Sequence, residues 1–165
     1  MTRSGVDVGG LALPMALLRA IGRKRWKAPT RPQTFIDVFG EPADHSVFYD
    51  VPGMIRQNVN FQNWSQEELA KHLGRYEGGV GVTPGLAVLI GDLGIDSPIA
   101  LDYRKSGSAP RVLYLRLDGW AEVAPDIETL LWRLGIDWRH RAVVQALRGL
   151  VGLSSTPPPA GDVGR

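Results

Sequence analysis

Three aspartates in the second half of the chain are the residues whose type and spacing best suit chemistry. Asp92 and Asp96 flank a predicted turn, and Asp102 lies on the strand that follows it. If these carboxylates meet at one edge of a sheet, they raise one another's pKa, as an acid–base pair requires. Aspartates beside a turn more often accept hydrogen bonds from their own backbone. We favour that structural interpretation for Asp92 and Asp96, and we predict no catalytic residue.

The other reactive residue types do not combine into a known catalytic or metal-binding motif. The chain has no cysteine, which excludes disulfides, cysteine metal sites and a cysteine nucleophile. The histidines stand in different predicted elements and lack the spacing of metal ligands. They are His45, His72 and His140. The glycine-rich stretch 77–85 lacks the Gly-Lys-Ser/Thr ending of a phosphate-binding loop. We therefore expect no metal and no cofactor, and we interpret the chain as a protein that is not an enzyme.

Positive charge is concentrated near the amino terminus, although the net charge of the chain is only +2. The cations of this stretch have no acidic residue among them: Arg19, Arg23, Lys24, Arg25, Lys27 and Arg31. The stretch, with Trp26 inside it, suits contact with anionic lipid or with nucleic acid, whereas a solubilising arm is the simpler alternative. The small net charge does not indicate nucleic-acid binding by the whole chain, so we do not expect nucleic acid as the partner.

The apolar run 11–18 is too short to cross a bilayer, which takes about 20 residues. Positive charge follows this run, whereas a secretion signal carries its charge in front. We therefore expect a cytoplasmic protein. Its predicted parts are a basic N-terminal arm with a short helix, a single α+β domain and a disordered tail rich in proline, glycine and serine. They cover residues 1–32 (with the helix at 13–21), 33–151 and 152–165.

The stretch 86–123 predicts an antiparallel meander of four strands. The predicted strands cover 86–90, 99–103, 112–117 and 120–123. The first is apolar throughout, which is typical of a strand buried on both faces. Asp118 and Gly119 form the residue pair favoured at the centre of a two-residue type I′ turn. After Pro125, apolar residues with helical spacing predict a helix that covers the sheet and ends at Gly135.

The first half of the chain carries one strong helix signal and several weaker ones. Ser65 and Glu68 form a capping box, in which each side chain bonds the other residue's backbone N–H. The helix that they open is predicted to end at Gly74. The weaker predictions are an extended segment at 54–61, a strand or turn at 33–39 and at 46–50, and a helix at 137–150.

The stretch 91–134 resembles the SUKH superfamily, which includes a yeast cell-wall-assembly regulator and many bacterial immunity proteins. The resemblance rests on GDLGIDSPIALDYR at 91–104, PRVLYL at 110–115 and DGWAEVAPDIETLLWRL at 118–134, about a quarter of the chain. These segments are similar to the family's strand pair, its next strand and turn, and its amphipathic final helix. The resemblance implies an α+β fold: a mixed, mostly antiparallel β-sheet with helices packed against it and no enzymatic activity.

The same resemblance implies a protein-binding module, such as an immunity protein that neutralises a cognate bacterial toxin, often a nuclease, by steric occlusion. We expect the partner surface to combine Asp92 and Asp96 with the strand residues Asp102 and Arg104. Exposed acids at these positions would complement the basic active site of a toxin. The alternative is a regulatory or scaffold protein of the same fold, which binds another protein or the membrane surface through its basic arm.

Overall fold

A five-stranded antiparallel sheet is the centre of the α+β fold in the computed structural model, which describes residues 5–75 and 78–136. The described strands are β1 (Asp7–Val8), β2 (Leu11–Ala12), β3 (Val47–Phe48), β4 (Ala87–Asp92), β5 (Pro98–Asp102), β6 (Arg111–Arg116) and β7 (Gly119–Ala124). The described helices are α1 (Met15–Gly22), α2 (Pro32–Phe39), α3 (Val51–Phe61), α4 (Gln66–Leu73) and α5 (Ile127–Arg133). Strands β1 and β2 form a separate hairpin, and β3 to β7 form the sheet in chain order.

The predicted meander is confirmed, because β4 to β7 pair in sequence and every pairing is antiparallel. Its last turn differs from the prediction. Arg116 pairs with Gly119, so Leu117 and Asp118 are the two loop residues. Among the described non-glycine residues, only Lys24 and Asp96 have positive φ, whereas a type I′ turn needs positive φ at both central residues. The left-handed residue is Gly119 (φ 120°), and it follows the turn.

Both faces of the sheet are buried, as the continuous apolar sequence of β4 predicts. On one face, side chains such as Val88 and Leu101 pack in a cluster with residues of α1, α2 and α5. On the other face, Leu89 and Leu113 pack with Phe61 and with residues of α4. The predicted covering helix is therefore confirmed, and it is one of several helices that enclose the sheet.

The predicted capping box is present at α4, and α5 has an N-cap that the sequence analysis did not predict. Ser65 Oγ accepts a hydrogen bond from the Glu68 N–H (3.2 Å), and Glu68 Oε2 accepts one from the Ser65 N–H (2.8 Å). Helix α5 begins after Asp126, whose carboxylate accepts a hydrogen bond from the Thr129 N–H at 2.7 Å. Capping of this kind satisfies backbone N–H groups that have no partner inside the helix.

Two segments of the first half are helical, although the sequence predicted an extended segment at 54–61 and a strand or turn at 33–39. Segment 54–61 belongs to α3, whose buried residues include Met54, Asn58 and Phe61. Their spacing of four and three residues is helical, so the prediction from alternating parity is wrong. Segment 33–39 belongs to α2 and buries Phe35, Val38 and Phe39 with the same periodicity. Segment 46–50 contains β3, the strand alternative.

Helix α3 lies along the part of the β4 edge that β3 leaves unpaired. Asn58 Nδ2 donates to the Leu89 carbonyl (2.9 Å), and the Leu89 N–H donates to Asn58 Oδ1 (2.8 Å). One turn later, Gln62 Nε2 donates to the Ala87 carbonyl (3.0 Å). These two side-chain amides therefore satisfy the exposed edge of β4 as another strand would.

The segment predicted as a basic arm is part of the main domain. Leu13, Leu17, Ala20 and Trp26 are buried in the larger apolar cluster, next to residues of α5. The predicted boundary at residue 32 therefore does not separate an arm from the core. The helix predicted at 137–150 and the tail predicted at 152–165 lie outside the described residues. Within the described part of the chain, no helix has the length and apolar character needed to cross a membrane.

Candidate functional site

The loop between β4 and β5 is organised by the Asp92 carboxylate. Asp92 Oδ1 accepts hydrogen bonds from the backbone N–H groups of Gly94 (3.1 Å) and Ser97 (3.2 Å). The Leu93 N–H donates to the Ser97 carbonyl at 3.1 Å and closes the loop. Partial burial raises the pKa of Asp92, while the N–H groups of Gly94 and Ser97 oppose that rise. This geometry agrees with the structural interpretation of Asp92, whose carboxylate holds the turn.

The tip of this loop presents an aliphatic side chain followed by an acid. Ile95 is 92% exposed. Asp96 is exposed as well, and its φ of 56° lies in the left-handed region. Aspartate tolerates this region better than most residues because its short side chain bonds locally. The loop therefore displays Ile95 and Asp96 to solvent at a position fixed by Asp92.

The turn between β6 and β7 repeats this arrangement. Leu117 is 92% exposed and is followed by the exposed Asp118. Both turns lie at the same end of the sheet, because they close alternate hairpins of one antiparallel meander, with the β5–β6 connection at the opposite end. Neighbouring strands lie about 4.8 Å apart, so the two tips are separated by about 10 Å. We call Ile95, Asp96, Leu117 and Asp118 the hairpin-tip surface.

Further acidic side chains lie at this end of the sheet. The Tyr114 hydroxyl donates to Glu41 Oε1 at 2.7 Å, and the Asp44 N–H donates to the Leu93 carbonyl at 3.1 Å. A cation is present too, since Arg116 Nε donates to the Phe39 carbonyl at 2.7 Å. Glu41 and Asp44 therefore lie at the same end of the sheet as the hairpin tips, together with Arg116, which bonds backbone there.

Asp102 and Arg104 lie away from this surface. Asp92 pairs with Pro98 whereas Asp102 pairs with Ala87, so Asp92 and Asp102 stand at opposite ends of the β4–β5 hairpin. The structure therefore does not bring the three aspartates together. Asp102 is fully buried, with 0% of its surface exposed. The expectation that Asp102 is an exposed partner contact is wrong, because two arginines enclose its carboxylate.

The Asp102 carboxylate bridges two arginines. Arg104 donates from Nε to Oδ1 (2.8 Å) and from Nη2 to Oδ2 (2.9 Å), and Arg111 Nε donates to Oδ2 (2.8 Å). Arg111 Nη1 also donates to Glu122 Oε2 at 2.9 Å. Burial opposes ionisation of Asp102, but the hydrogen bonds and charge of the two arginines outweigh it and lower its pKa. Asp102 is thus a buried anion that supports the sheet.

Arg104 also attaches the glycine-rich segment to the sheet. Its Nη2 donates to the carbonyls of Val80 (3.2 Å) and Gly81 (2.8 Å). A cleft of about 680 Å³ lies beside it, between α4, this segment and Trp120. The sequence did not predict the cleft, because its walls come from segments distant in the chain. Arg104 is therefore a cleft and loop contact, distant from Asp92 and Asp96.

The other residues singled out by type stay apart. The His72 ring stacks on Trp64 with centroids 4.4 Å apart, and His45 is exposed near β3. His140 lies outside the described residues. Among the residues that the structure describes, no three His, Asp or Glu side chains are grouped to hold a metal ion. Trp26, predicted to suit an interface, is buried, and its indole N–H donates to the Tyr49 carbonyl at 3.0 Å.

Ile95 and Leu117 are the surface residues that sequence reasoning missed. The signal that could have identified them is a large aliphatic residue placed in a predicted turn directly before an aspartate. The fold defines an α+β protein built on a five-stranded antiparallel meander. Comparison with protein-family models, with curated proteins and with solved structures gives no match to this chain. The resemblance to the SUKH superfamily therefore stays a prediction.

Proposed function

We propose that this chain is a non-enzymatic protein-binding module, an immunity-type protein that acts in the cytoplasm and occludes a cationic site on a toxin. The observation that carries the proposal is the hairpin-tip surface. Two adjacent hairpin tips each present a 92% exposed aliphatic residue followed by an exposed aspartate. The resemblance of 91–134 to the SUKH superfamily, in which bacterial members are immunity proteins, supports the same function.

The chemistry of the hairpin-tip surface suits a partner that is cationic around an apolar recess. Burying an exposed Ile or Leu side chain contributes about 1.5–3 kcal/mol to association. Asp96 and Asp118 would guide the approach to positive charge and set the orientation of the two chains. A nuclease toxin has this chemistry, because its active site must attract phosphates.

The polar groups described above support a binding function over catalysis. The Asp92 carboxylate is occupied by two backbone N–H groups, and Asp102 is occupied by two arginines. Each therefore has a structural role. Occlusion requires only that a rigid surface covers the partner's site, and the bonded loop after Asp92 provides one.

The decisive experiment identifies a toxin encoded beside the gene of this chain and titrates the purified chain into it by calorimetry. We expect binding, and we expect Ile95→Ala with Leu117→Ala to weaken it roughly 30-fold, about 1 kcal/mol for each truncation. Asp96→Asn with Asp118→Asn should slow association and flatten its salt dependence. The matched control is Val59→Ala, since Val59 is an exposed aliphatic residue on α3.

Two results would count against the proposal. If the wild-type chain leaves the toxin unbound and active, the immunity function is wrong. If Val59→Ala weakens binding as much as the double alanine variant, binding occurs but the hairpin-tip surface is not its site.

A further inference from the structure

The amino-terminal part of the domain displays several cations with no acidic residue between them. No acidic residue occurs between Asp7 and Asp37. This stretch contains six arginines and lysines, all of which are exposed: Arg19, Arg23, Lys24, Arg25, Lys27 and Arg31. We call these six residues the cationic face. A concentration of one sign of charge attracts ligands of the opposite sign over several ångströms.

The six cations of the cationic face form no ion pair with any acid of the described residues. In the described part of the chain, the ion pairs join Asp102 and Glu122 to Arg104, Lys105 and Arg111, and none includes the cationic face. These cations are therefore available to pair with the charges of an anionic partner.

The fold holds these cations in place. After α1 the chain turns back, with the Lys24 N–H bonded to the Ile21 carbonyl and the Arg25 N–H bonded to the Ala20 carbonyl, both at 2.8 Å. Trp26 then anchors the segment, because its ring lies 4.4 Å from that of Phe48. The segment predicted as a basic arm is thus attached to the core along a defined backbone path.

The backbone at Lys24 closes the end of α1. Its φ of 55° lies in the left-handed region, which is common at the residue after a helix. The Lys24 N–H bonds the Ile21 carbonyl and the Arg25 N–H bonds the Ala20 carbonyl, which is the pattern of a Schellman helix end. This helix end fixes the direction in which the cationic segment leaves α1.

We propose that the cationic face binds an anionic membrane surface, as a function additional to the hairpin-tip surface. Met15 favours a membrane over nucleic acid. It is 57% exposed and lies one helical turn before Arg19, so both share one side of α1. An exposed apolar side chain among cations can enter the boundary between headgroups and acyl chains.

The segment 15–31, which carries the cationic face, has no exposed aromatic ring. Proteins that bind single strands stack the bases on exposed aromatic rings. The aromatic residue of this segment, Trp26, is 6% exposed and packs inward. The cleft described beside Arg104 is lined by other residues, so the cationic face is not the wall of that groove.

The experiment measures co-sedimentation of the full chain with phosphatidylcholine vesicles that do or do not contain 30% phosphatidylserine (roughly the content that gives a strong negative surface potential). Each cation near such a surface raises the partition coefficient about fivefold. We expect binding to the anionic vesicles only, with release by roughly 0.5 M salt, because salt screens the attraction. Arg23→Gln with Lys27→Gln should lower the partition coefficient roughly 30-fold.

The charge-matched control is Arg56→Gln with Lys71→Gln, which removes two exposed cations from α3 and α4. It should change vesicle binding less than about threefold, since neither cation belongs to the cationic face. Met15→Ser should lower vesicle binding roughly threefold to tenfold through lost apolar contact. Equal losses in the control and in the Arg23 and Lys27 variant would show that net charge alone is responsible, which overturns the proposal.

A parallel titration with a 20-base-pair DNA duplex (about two turns) distinguishes binding to nucleic acid from binding to a membrane. Tighter binding to the duplex than to the vesicles, with the same loss on Arg23→Gln and Lys27→Gln, would overturn the membrane assignment in favour of nucleic acid. No binding to anionic vesicles at low salt would also overturn it.

Discussion

At the residue scale, the aspartates of the second half divide into supports of the fold and parts of a surface. Asp92 bonds the N–H groups of its own loop, and Asp102 lies buried between Arg104 and Arg111. Asp96 is exposed at a hairpin tip in a left-handed conformation. The same residue type thus has different roles, because burial and hydrogen-bond partners differ between the three positions.

Replacing Asp102 by Asn should destabilise the protein by about 3 kcal/mol near neutral pH, because it leaves two arginines without their buried anion. The folded state lowers the pKa of Asp102. Its contribution to stability is therefore complete above the pKa of the unfolded chain, about 3.9, and is lost as pH falls through the lower folded value.

The difference in the free energy of unfolding between wild type and Asp102→Asn should therefore shrink below about pH 4. Urea denaturation between about pH 3 and 7 measures it (a span on both sides of the unfolded carboxyl pKa). Asp118→Asn, at an exposed position, is the control and should change stability by less than about 0.5 kcal/mol. A difference that stays constant across this range would contradict the assigned ion pair.

At the element scale, α3 and β4 complete each other's hydrogen bonding. β3 pairs with β4 only at Gly91 and Asp92, which leaves the rest of that edge open. Asn58 and Gln62 of the helical segment bond the backbone of Leu89 and Ala87 there. The edge is thus covered by a helix that carries amide side chains at matching positions.

Asn58→Ala should destabilise the protein by about 2–4 kcal/mol, because the buried N–H and carbonyl of Leu89 lose their partners. The loss should appear in the free energy of unfolding and as faster hydrogen exchange at the Leu89 amide. Asn63→Ala is the matched control, since Asn63 donates to the Val59 carbonyl (2.9 Å) at an exposed position. An equal cost for the two substitutions would show that the bonds to β4 contribute nothing beyond the bond within the helix.

At the scale of the whole molecule, the chain has two surfaces of opposite charge on one core. The hairpin-tip surface is acidic, and the cationic face lies at the end of α1 and along the segment after it, to residue 31. The same apolar cluster supports both surfaces. It joins α1, which leads into the cationic face, to α5 and to the strands that carry the hairpin tips. The amino-terminal segment is therefore needed for the core that supports both surfaces.

Deleting residues 1–27 should abolish cooperative unfolding and the near-ultraviolet circular dichroism of the folded state. The deletion removes Leu13, Leu17, Ala20 and Trp26 from the core, and each large core side chain contributes about 2–5 kcal/mol. Deleting residues 1–5, which end before the β1–β2 hairpin, should shift the melting temperature by only a few degrees. If the longer deletion melts cooperatively near the wild-type temperature, the segment is an arm after all.

Local patterns in the sequence determined the elements whose signals lie within a few residues. Alternating and continuous apolar runs predict β4 to β7, and the capping box at Ser65 predicts α4. Segment 51–61 shows where such patterns fail. Its buried face includes the polar Asn58, which interrupts the apolar spacing, while Ile55 and Val59 are exposed. The signal for the start of α3 is Asp50, which caps the helix, followed by Pro52 in its first turn.

Only the tertiary structure decided which charges face solvent and which side chains meet. Whether an aspartate supports a turn, anchors arginines or faces a partner depends on burial and on residues distant in the chain, as Asp102 and Arg111 show. The burial of Trp26 against Phe48 depends in the same way on β3. The periodicity of apolar residues reflects local conformational preference and which face of an element is buried. The contacts of Asp102 with Arg111 and of Trp26 with Phe48 depend instead on how distant segments pack.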